Sequence, residues 1–368
     1  MKKFIKEYWL IIVTGLFIGA AAVLLTWLGN PSNMGFCSAC FLRDIAGALK
    51  LQSAGATVLE SGLLSAGTLQ YARPEIIGLV VGALLISLVR KEWKPEGGSS
   101  PMTRFVIAVV VMVGALIFLG CPLRLAIRLG GGDLNALVGL AGLIVGVGIA
   151  SVVVRSGFDL GKTHSQSVME GLILPVIMVG LLVLLLAQKY LAFSTSGVGS
   201  QHAPILIALA VSVVIGALAF SSRFCSTGSF RDVMLYRDFK LISGYIAVIV
   251  AVLVGNIIVK RAFPAFSFEK QPIAHTDGLY NFLGMAMVGW GSVLLGGCPL
   301  RQLVRAGGGN TDSAVTVVGF IVGAAISHNF GLASSAAGIG TGPVAWVVTG
   351  GFAVLFIVSV VGIFRKKA

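Results

Sequence analysis

The sequence predicts an all-α polytopic membrane protein with about nine to ten transmembrane helices. Of its 368 residues, 57% are hydrophobic and 11% are charged, whereas soluble domains carry roughly 25% charged residues. The mean hydropathy is +0.97. A helix that spans a bilayer needs about 20 mostly apolar residues, and the chain contains ten apolar segments of about that length.

These ten segments are the predicted spans, taken in chain order. They lie at about 8–29, 74–90, 103–120, 133–154, 171–190, 202–222, 241–259, 279–297, 312–332 and 344–364. The first segment follows a short basic stretch, and the residues after it lack the usual small-residue cleavage site. We therefore expect this segment to be retained as a span.

The formal net charge of +13 is predicted to reflect cytoplasmic loops and not a nucleic-acid-binding surface. If the N-terminus is cytoplasmic, 18 of the 27 Lys and Arg residues fall on the cytoplasmic side of the ten spans. An excess of Lys and Arg in cytoplasmic loops is the usual orientation signal of membrane proteins. We predict a multi-pass protein of the inner (plasma) membrane with both termini in the cytoplasm and with no nucleic-acid partner.

Two pairs of similar passages divide the chain into two halves. The passages "IFLGCPLRLAIRLGGGD" and "LLGGCPLRQLVRAGGGN" align Cys121 with Cys298 at an offset of 177, and "FCSACFLRD" and "FCSTGSFRD" align Cys37 with Cys225 at an offset of 188. Five predicted spans separate the members of each pair, so the two halves are predicted to be inverted repeats, as in many secondary transporters. The predicted organisation is a first repeat at 1–160, a connecting span and loop at 161–200, and a second repeat at 201–368, which together form one integrated membrane domain.

Each CPLR passage predicts a break in the membrane followed by a short helix. Proline favours the first turn of a helix, so a helix is expected to start at Pro122 and at Pro299, and the three glycines that follow permit a turn. Non-helical backbone at membrane depth is tolerated only against protein or a water-filled cavity. We predict short re-entrant helices that meet centrally, each with a cysteine at its positive N-terminal end, where an anion is favoured.

Each CPLR passage also carries two arginines four residues apart. Arg124 and Arg128 share one helical face, and so do Arg301 and Arg305. Guanidinium groups bind oxyanions in a bidentate way, so all four arginines are candidates for attracting an anion. The alternative is that they anchor the turns by pairing with backbone carbonyls or acidic groups.

Cysteine placement is the most informative feature of the sequence. The chain has five cysteines, Cys37, Cys40, Cys121, Cys225 and Cys298. Four of them fall on the repeated motifs, and only Cys40 lacks a counterpart, because Gly228 stands at the equivalent position. Thiols donate and accept weak hydrogen bonds and react with sulfane sulfur when deprotonated, so a row of thiols suits a polarizable sulfur- or selenium-containing anion.

Two other roles are open to the cysteines. A zinc site would need two further ligands beside Cys37 and Cys40, and the four histidines, His164, His202, His275 and His328, are scattered along the chain. The C-x-x-C spacing of Cys37 and Cys40 also fits a membrane thiol oxidoreductase, which leaves the repeat-matched cysteines unexplained. We predict no metal site and no cofactor, and the oxidoreductase stays as the alternative function.

At these motifs the sequence resembles the YeeE/YedE family of membrane transport proteins, and within it the YedE-like branch associated with selenium. The resemblance covers nearly the whole chain and is carried by "GCPLR" at 120–124 and 297–301 and by "FCS" at 36–38 and 224–226. It implies an hourglass-like helical fold in which short helices dip inward from both faces. It also implies a path lined by Cys121, Cys225 and Cys298, with Cys37 as the repeat counterpart of Cys225.

The function predicted from the sequence is uptake of a small inorganic anion by a transporter or channel that is not an enzyme. The resemblance implies a thiosulfate-like substrate, or a selenium compound in the YedE-like branch. The predicted partners are this anion and the lipid bilayer, and a soluble sulfur or selenium carrier protein on the cytoplasmic side is a candidate. A membrane scaffold for such a soluble protein is a third class of function.

Overall fold

The structure is a computed structural model that describes residues 2–52 and 71–365. Within these residues ten long helices correspond to the ten predicted segments: α1 Lys2–Trp27, α3 Pro74–Val89, α4 Pro101–Phe118, α6 Asn135–Arg155, α7 Val168–Ala187, α8 Ile205–Ser222, α10 Lys240–Lys260, α11 Gly278–Leu294, α13 Thr311–Asn329 and α14 Val344–Arg365. Four shorter helices lie between them: α2 Ser38–Ala48, α5 Pro122–Gly130, α9 Ser226–Tyr236 and α12 Pro299–Gly307. Outside the helices there are one short 3₁₀ turn, Val198–Ser200, and a two-stranded ribbon, β1 Glu96–Gly97 and β2 His164–Ser165.

The length and apolar character of these helices confirm the predicted fold class. Nine candidate spans occur in the described part of the chain, and three of them, 101–130, 205–236 and 278–307, join a long helix to the short helix that follows it. Helix α3 is apolar but has only 16 residues. The protein is an all-α polytopic membrane protein, and the large apolar side chains exposed along α7 and α14 suit contact with lipid.

Four pairs of long helices pack across the two halves of the chain. Helix α1 packs on α10 and α8 packs on α3, while α4 packs on α13 and α11 packs on α6. Matching α1–α7 in order with α8–α14 makes α8 the counterpart of α1 and α10 the counterpart of α3. The α1–α10 pair is then the counterpart of the α8–α3 pair. In the same way, the α4–α13 pair is the counterpart of the α11–α6 pair. Each half therefore contributes one member to every pair, and neither half packs as a separate bundle.

A G-x-x-x-G sequence lies in each of these four helix pairs. The glycines are at 15 and 19, 78 and 82, 142 and 146, and 319 and 323, and each approaches the partner helix so closely that an added Cβ would meet its backbone or Cβ atoms. In the first pair, Gly15 lies against Gly244 and Gly19 against Val248, so α1 and α10 run in the same direction. Small residues at this spacing let membrane helices approach closely, since lipid provides no hydrophobic drive for helix association.

Contacts between loops define two opposite faces of the molecule. Glu96 pairs with Ser165 and bridges to Asn310, so the loops at 90–100, 156–167 and 308–310 lie together on what we call the Glu96 face. Leu134 donates its backbone N–H to the carbonyl of Ser267 at 3.1 Å, which joins the loops after α5 and α10 on the opposite, Ser267 face.

Both described ends of the chain lie on the Glu96 face. Helix α10 ends at the Ser267 face and α1 runs parallel to it, so α1 starts at the Glu96 face. Near the end of α14, Gly362 packs against Phe158 of the 156–167 loop. Lys366 and Lys367, which contribute to the predicted charge bias, lie outside the described residues.

Candidate functional site

All four repeat-matched cysteines stand directly before a short helix. Cys121 and Cys298 precede α5 and α12, which start at Pro122 and Pro299 as the sequence predicts. The proline at the first helical position has no N–H to leave unpaired and fixes φ near the helical value. The short helices α2 and α9 at the FCS motifs were not predicted from the sequence.

The FCS helices start at a cysteine cap in place of a proline. The Sγ atom of Cys37 accepts the backbone N–H of Cys40 at 3.3 Å, and the Sγ atom of Cys225 accepts that of Gly228 at 3.2 Å. In both cases the capping thiol bonds the third residue of the helix, the position that Ser or Asp side chains usually satisfy at helix starts. A cysteine can therefore set the start of a short helix and face its positive end at the same time.

Cys37, Cys40 and Cys121 form what we call the first thiol cluster. The Sγ atoms of Cys37 and Cys121 are 3.9 Å apart, and the hydroxyl of Ser38 donates to Cys121 Sγ at 3.3 Å. Arg124 Nη1 donates to Cys40 Sγ at 3.2 Å. The three thiols are buried at the point where the starts of α2 and α5 meet.

Cys225 and Cys298 form the second thiol cluster, which joins the starts of α9 and α12. The backbone N–H of Cys298 donates to Cys225 Sγ at 3.4 Å. Cys225 is 5% exposed and lines a cavity, whereas the other four cysteines are at most 1% exposed. The second cluster therefore contacts open space through Cys225.

Tyr245 of α10 contacts α5 and α9, the short helices that follow Cys121 and Cys225. Its hydroxyl donates to the carbonyl of Pro122 at 2.9 Å, and its ring stacks edge-on against Phe230 at 5.2 Å. Tyr245 was not singled out from the sequence, because a lone Tyr in an apolar span carries no local signal.

Arg124 is fully buried and bonds the backbone of three separate segments. It donates to the carbonyls of Asn33 and Ile273, each at 2.9 Å, and also to the carbonyl of Leu119. With its contact to Cys40 Sγ, every guanidinium nitrogen has an acceptor. Arg124 therefore ties the start of α5 to the end of α4 and to two loops.

Arg128 is likewise fully buried and paired. Its Nε donates to Asp133 Oδ2 at 2.6 Å, and its Nη1 donates to the Phe118 carbonyl at 2.7 Å. The guanidinium also lies over the Phe118 ring, 4.2 Å from the ring centroid. A buried charge needs such a partner, since an isolated one is strongly unfavourable at low dielectric.

Arg301 and Arg305, the repeat counterparts, have different surroundings. Both line two adjoining cavities of about 400 and 390 Å³, and neither makes an ion pair or a side-chain hydrogen bond within the described residues. Arg301 Nη1 is buried without a partner. Arg223, at the end of α8, lines both cavities as well and was not predicted as a site residue.

Other charged groups near the first cluster are held in ion pairs. Asp44 of α2 binds Arg43 at 2.8 Å and Arg73 at 2.7 Å, and all three side chains are buried. In the second half, Arg231 binds Asp232 at 2.7 Å in a more exposed position. Each FCS helix therefore carries an arginine and an aspartate that pair with each other. Arg43 and Arg73 both bind Asp44.

His275 serves packing at the start of α11. Its Nε2 bonds the Ile117 carbonyl at 2.8 Å, and the carbonyl of His275 accepts from Asn281 at 3.1 Å. Burial lowers the pKa of His275, so the ring is neutral at pH 7 and Nε2 carries the donated hydrogen. Within residues 2–52 and 71–365, no group of three or more His, Cys, Asp or Glu side chains is arranged to hold a metal ion.

Comparison with known proteins bears on the second half of the chain. A family model described as sulphur transport matches residues 221–365, which include Cys225, Cys298 and the arginines of α12. This match supports a YeeE/YedE family transporter. No curated protein matches the chain. The family match and the apolar helices together support a multi-pass membrane sulfur transporter.

Proposed function

We propose that this YeeE/YedE family protein takes up a small inorganic sulfur- or selenium-containing anion through a path lined by its two thiol clusters. The substrate is a thiosulfate-like anion or a selenium compound. The observation that carries the proposal is the gathering of Cys37, Cys121, Cys225 and Cys298, from two motifs in both halves, into two neighbouring buried clusters at helix starts.

The chemistry of the clusters suits an anion with a soft atom. A helix N-terminus presents unpaired N–H groups and a partial positive charge, and four such termini carry a cysteine here. Thiols are weakly hydrated and polarizable, so they contact a terminal sulfur or selenium atom with little loss of hydration. The protein transports without a covalent reaction, and we assign it no enzymatic activity.

The two halves of the proposed transporter are inverted repeats. Exchange of helix partners supports this arrangement, because α1 and α10 run from the Glu96 face to the Ser267 face while α3 and α8 run the opposite way. The first and second thiol clusters then belong to opposite entrances of one path. In this proposal Tyr245, which contacts both α5 and α9, is the narrow point that a substrate must pass.

We place the Glu96 face in the cytoplasm of a plasma membrane. Most of the Lys and Arg residues of the chain lie on this side of the predicted spans, as the positive-inside rule requires. Arg301 and Arg305 then attract the anion at the cytoplasmic entrance, while Arg124 and Arg128 anchor the turn at the other entrance through their protein partners. A soluble sulfur or selenium carrier that receives the anion docks on the cytoplasmic side.

Uptake by proteoliposomes tests the proposal. Purified protein is reconstituted and the uptake of radiolabelled thiosulfate and selenite is compared with that of empty liposomes. Cys121→Ala, Cys225→Ala and Cys298→Ala are each expected to reduce uptake at least about tenfold, because each removes a contact along a single path. Normal uptake in all three variants would contradict a thiol-lined path.

The Cys40→Ala variant tests the alternative function, a membrane thiol oxidoreductase. A thiol oxidoreductase centred on Cys37 and Cys40 requires both thiols, so it would lose a redox activity in this variant while the other cysteine variants retain it. Binding of sulfur anions or of a carrier protein without any uptake would instead indicate the membrane scaffold. The structure gives Cys40 a backbone contact to Cys37 and no counterpart in the second half, so we expect only a partial effect on uptake.

A further inference from the structure

The residue that follows the triple glycine differs between the two CPLR passages, and it determines whether the second arginine of the passage has an ion-pair partner. Asp133 follows the first triple glycine and binds Arg128, and Asn310 occupies the equivalent position after the second triple glycine. Asn310 Oδ1 accepts the Ser313 backbone N–H at 2.8 Å and so caps α13, while its Nδ2 is buried without a partner. The second half therefore keeps the helix cap and loses the carboxylate that neutralises the arginine.

A second exchange removes the other partner of this arginine. In the first half, Arg128 bonds the carbonyl of Phe118 at the end of α4. The equivalent carbonyl, that of Leu295, is bonded by Gln302 at 3.0 Å, where the first half has Leu125. Gln302 thus provides the hydrogen bond at the end of α11 that Arg128 provides at the end of α4.

A third exchange concerns the other arginine of the motif. Arg124 donates to Cys40 Sγ, but Gly228 stands where Cys40 would lie in the second half. Three substitutions between the halves thus remove protein acceptors from Arg301 and Arg305. Neither side chain has an ion-pair partner in the described part of the chain, and both line the two cavities together with Arg223.

The other charged residues that line the two cavities are four basic and four acidic ones, so the net positive charge of the lining comes from the three arginines. The other basic lining residues are Lys91, Lys94, Arg231 and Lys240, and the acidic ones are Glu92, Glu96, Asp232 and Asp238. Glu92 pairs with Arg90 at 3.2 Å and Asp232 pairs with Arg231, which leaves Glu96 and Asp238 to face the basic groups. Arg223, Arg301 and Arg305 are common to both cavities, so the positive charge is highest where the cavities meet.

We propose that Arg223, Arg301 and Arg305 form a binding subsite for a tetrahedral oxyanion, such as sulfate, selenate or phosphate, on the Glu96 face only. Three guanidinium groups match the charge and the several acceptors of a divalent tetrahedral oxyanion, and they need no thiol to do so. The inference deepens the proposed function and rests on it only in sharing Arg301 and Arg305. At the opposite entrance every guanidinium nitrogen of Arg124 donates to a protein acceptor and the charge of Arg128 is neutralised by Asp133, so we expect no equivalent subsite there.

The subsite adjoins the thiol path at Cys225. This cysteine lines the same cavity as Arg301 and Arg305, so an anion with an oxyanion end and a soft end can contact both chemistries there. A plain oxyanion fills only the arginine part. We therefore expect sulfate to bind without being carried past the second thiol cluster, and to compete with the transported anion at this entrance.

Direct binding of sulfate to the full-length protein tests the subsite. The protein is placed in nanodiscs of zwitterionic lipid, and sodium sulfate is compared with sodium chloride at equal ionic strength by calorimetry and thermal unfolding. Wild type is expected to bind sulfate and to gain thermal stability from it. Asn310→Asp is expected to weaken binding about tenfold, because an aspartate there pairs with Arg305 as Asp133 pairs with Arg128.

Two further variants separate the subsite from general charge and from misfolding. Arg223 is exposed, so Arg223→Gln is expected to fold and to weaken sulfate binding about tenfold. Arg155→Gln removes an exposed arginine of the Glu96 face that lines neither cavity, and it should bind sulfate like wild type. Unchanged binding in Arg223→Gln, or an equal loss in Arg155→Gln, overturns the proposal, as does unchanged binding in a folded Asn310→Asp variant.

The phosphate of a lipid headgroup offers the same chemistry as a free oxyanion. If nanodiscs with added phosphatidylglycerol abolish the sulfate response of wild type, a headgroup phosphate is the occupant; if they do not, it is a free anion. Failure of this inference is distinct from failure of the proposed function, because sulfate binding needs no transport. Uptake that is unchanged in the cysteine variants, together with intact sulfate binding, refutes the path alone. Cysteine-dependent uptake without sulfate binding refutes the subsite alone.

Discussion

Residues at equal positions of a repeated motif have opposite environments in this protein. Arg128 and Arg305 occupy the same place in the two CPLR passages, yet one is enclosed by Asp133 and a carbonyl while the other lines a cavity. The difference arises from single substitutions at neighbouring repeat positions. In the proposed subsite Arg305 is available to a ligand because it lacks the partners that Arg128 has.

This difference predicts opposite effects on stability. Arg128→Gln leaves the Asp133 carboxylate buried and unpaired, so we expect a loss of about 3 to 5 kcal/mol in the free energy of unfolding. Arg305→Gln removes a side chain that makes no ion pair and is expected to change the stability by less than about 1 kcal/mol. Thermal unfolding of the two variants in one detergent makes the comparison, and equal destabilisation would contradict it.

The arginine partners illustrate what the sequence does not reveal at the residue scale. The spacing of four predicts a shared helical face and leaves anion binding and anchoring equally open. Arg124 is anchored by the carbonyls of Asn33 and Ile273, which are 91 and 149 residues away in the chain. Backbone carbonyls at such separations carry no residue-type signal, so only the folded chain distinguishes the two roles.

At the scale of elements, the short helices were predictable only where a proline marks their start. Pro122 and Pro299 fix the beginnings of α5 and α12 and the glycines fix their ends, so both helices followed from local sequence. Helices α2 and α9 start at a cysteine cap, and a cysteine is not a usual N-cap residue. Their existence depends on the same packing that brings the thiols together.

The meeting of α2 and α5 predicts a specific cross-link. The Sγ atoms of Cys37 and Cys121 are 3.9 Å apart, and a disulfide bond of about 2 Å needs only a small movement of the side chains. We expect copper phenanthroline to form this disulfide and to block uptake in proteoliposomes, because it joins the two helix starts and removes both thiols from the path. Added reductant should restore uptake.

Peptide mass spectrometry identifies the bond that forms. A disulfide between Cys37 and Cys121 is expected in wild type and should be absent in Cys37→Ala. Any inhibition of uptake by oxidant that remains in this variant is attributed to the second thiol cluster. Recovery of both cysteines as free thiols under conditions that block uptake would show that another group is the target.

Close packing of the long helices predicts the effect of two glycine substitutions. A Cβ at Gly142 of α6 would overlap the Phe282 carbonyl of α11, so Gly142→Ala forces this pair apart and is expected to destabilise the protein by about 1 to 3 kcal/mol. Gly180 of α7 has no atoms within 4 Å of an added Cβ. Gly180→Ala is therefore the matched control, with stability unchanged or raised by up to about 1 kcal/mol through helix propensity. Thermal unfolding in detergent separates the two, and equal behaviour would argue against tight packing at this crossing.

At the scale of the whole molecule, most of the architecture followed from simple physical signals. Ten apolar segments predicted the ten long helices because a membrane span requires length and hydrophobicity, which are additive along the chain. The exchange of helix partners between halves did not follow, since it depends on which glycine faces meet. The local sequence signal for these crossings is G-x-x-x-G, which occurs at 15–19, 78–82, 142–146 and 319–323.

The arrangement of the loops makes the orientation of the whole protein testable. The start of α1, the end of α14 and the 156–167 loop lie on the Glu96 face, and the 261–277 loop lies on the Ser267 face. With the Glu96 face in the cytoplasm, a green fluorescent protein fused to the C-terminus is expected to fluoresce. Alkaline phosphatase inserted in the 261–277 loop is expected to be active, and the same enzyme in the 156–167 loop inactive, because it folds only outside the cytoplasm, where its disulfides form. The opposite pattern would place the arginine-lined cavities at the outer entrance, where they would act as the first site to capture an anion from outside the cell.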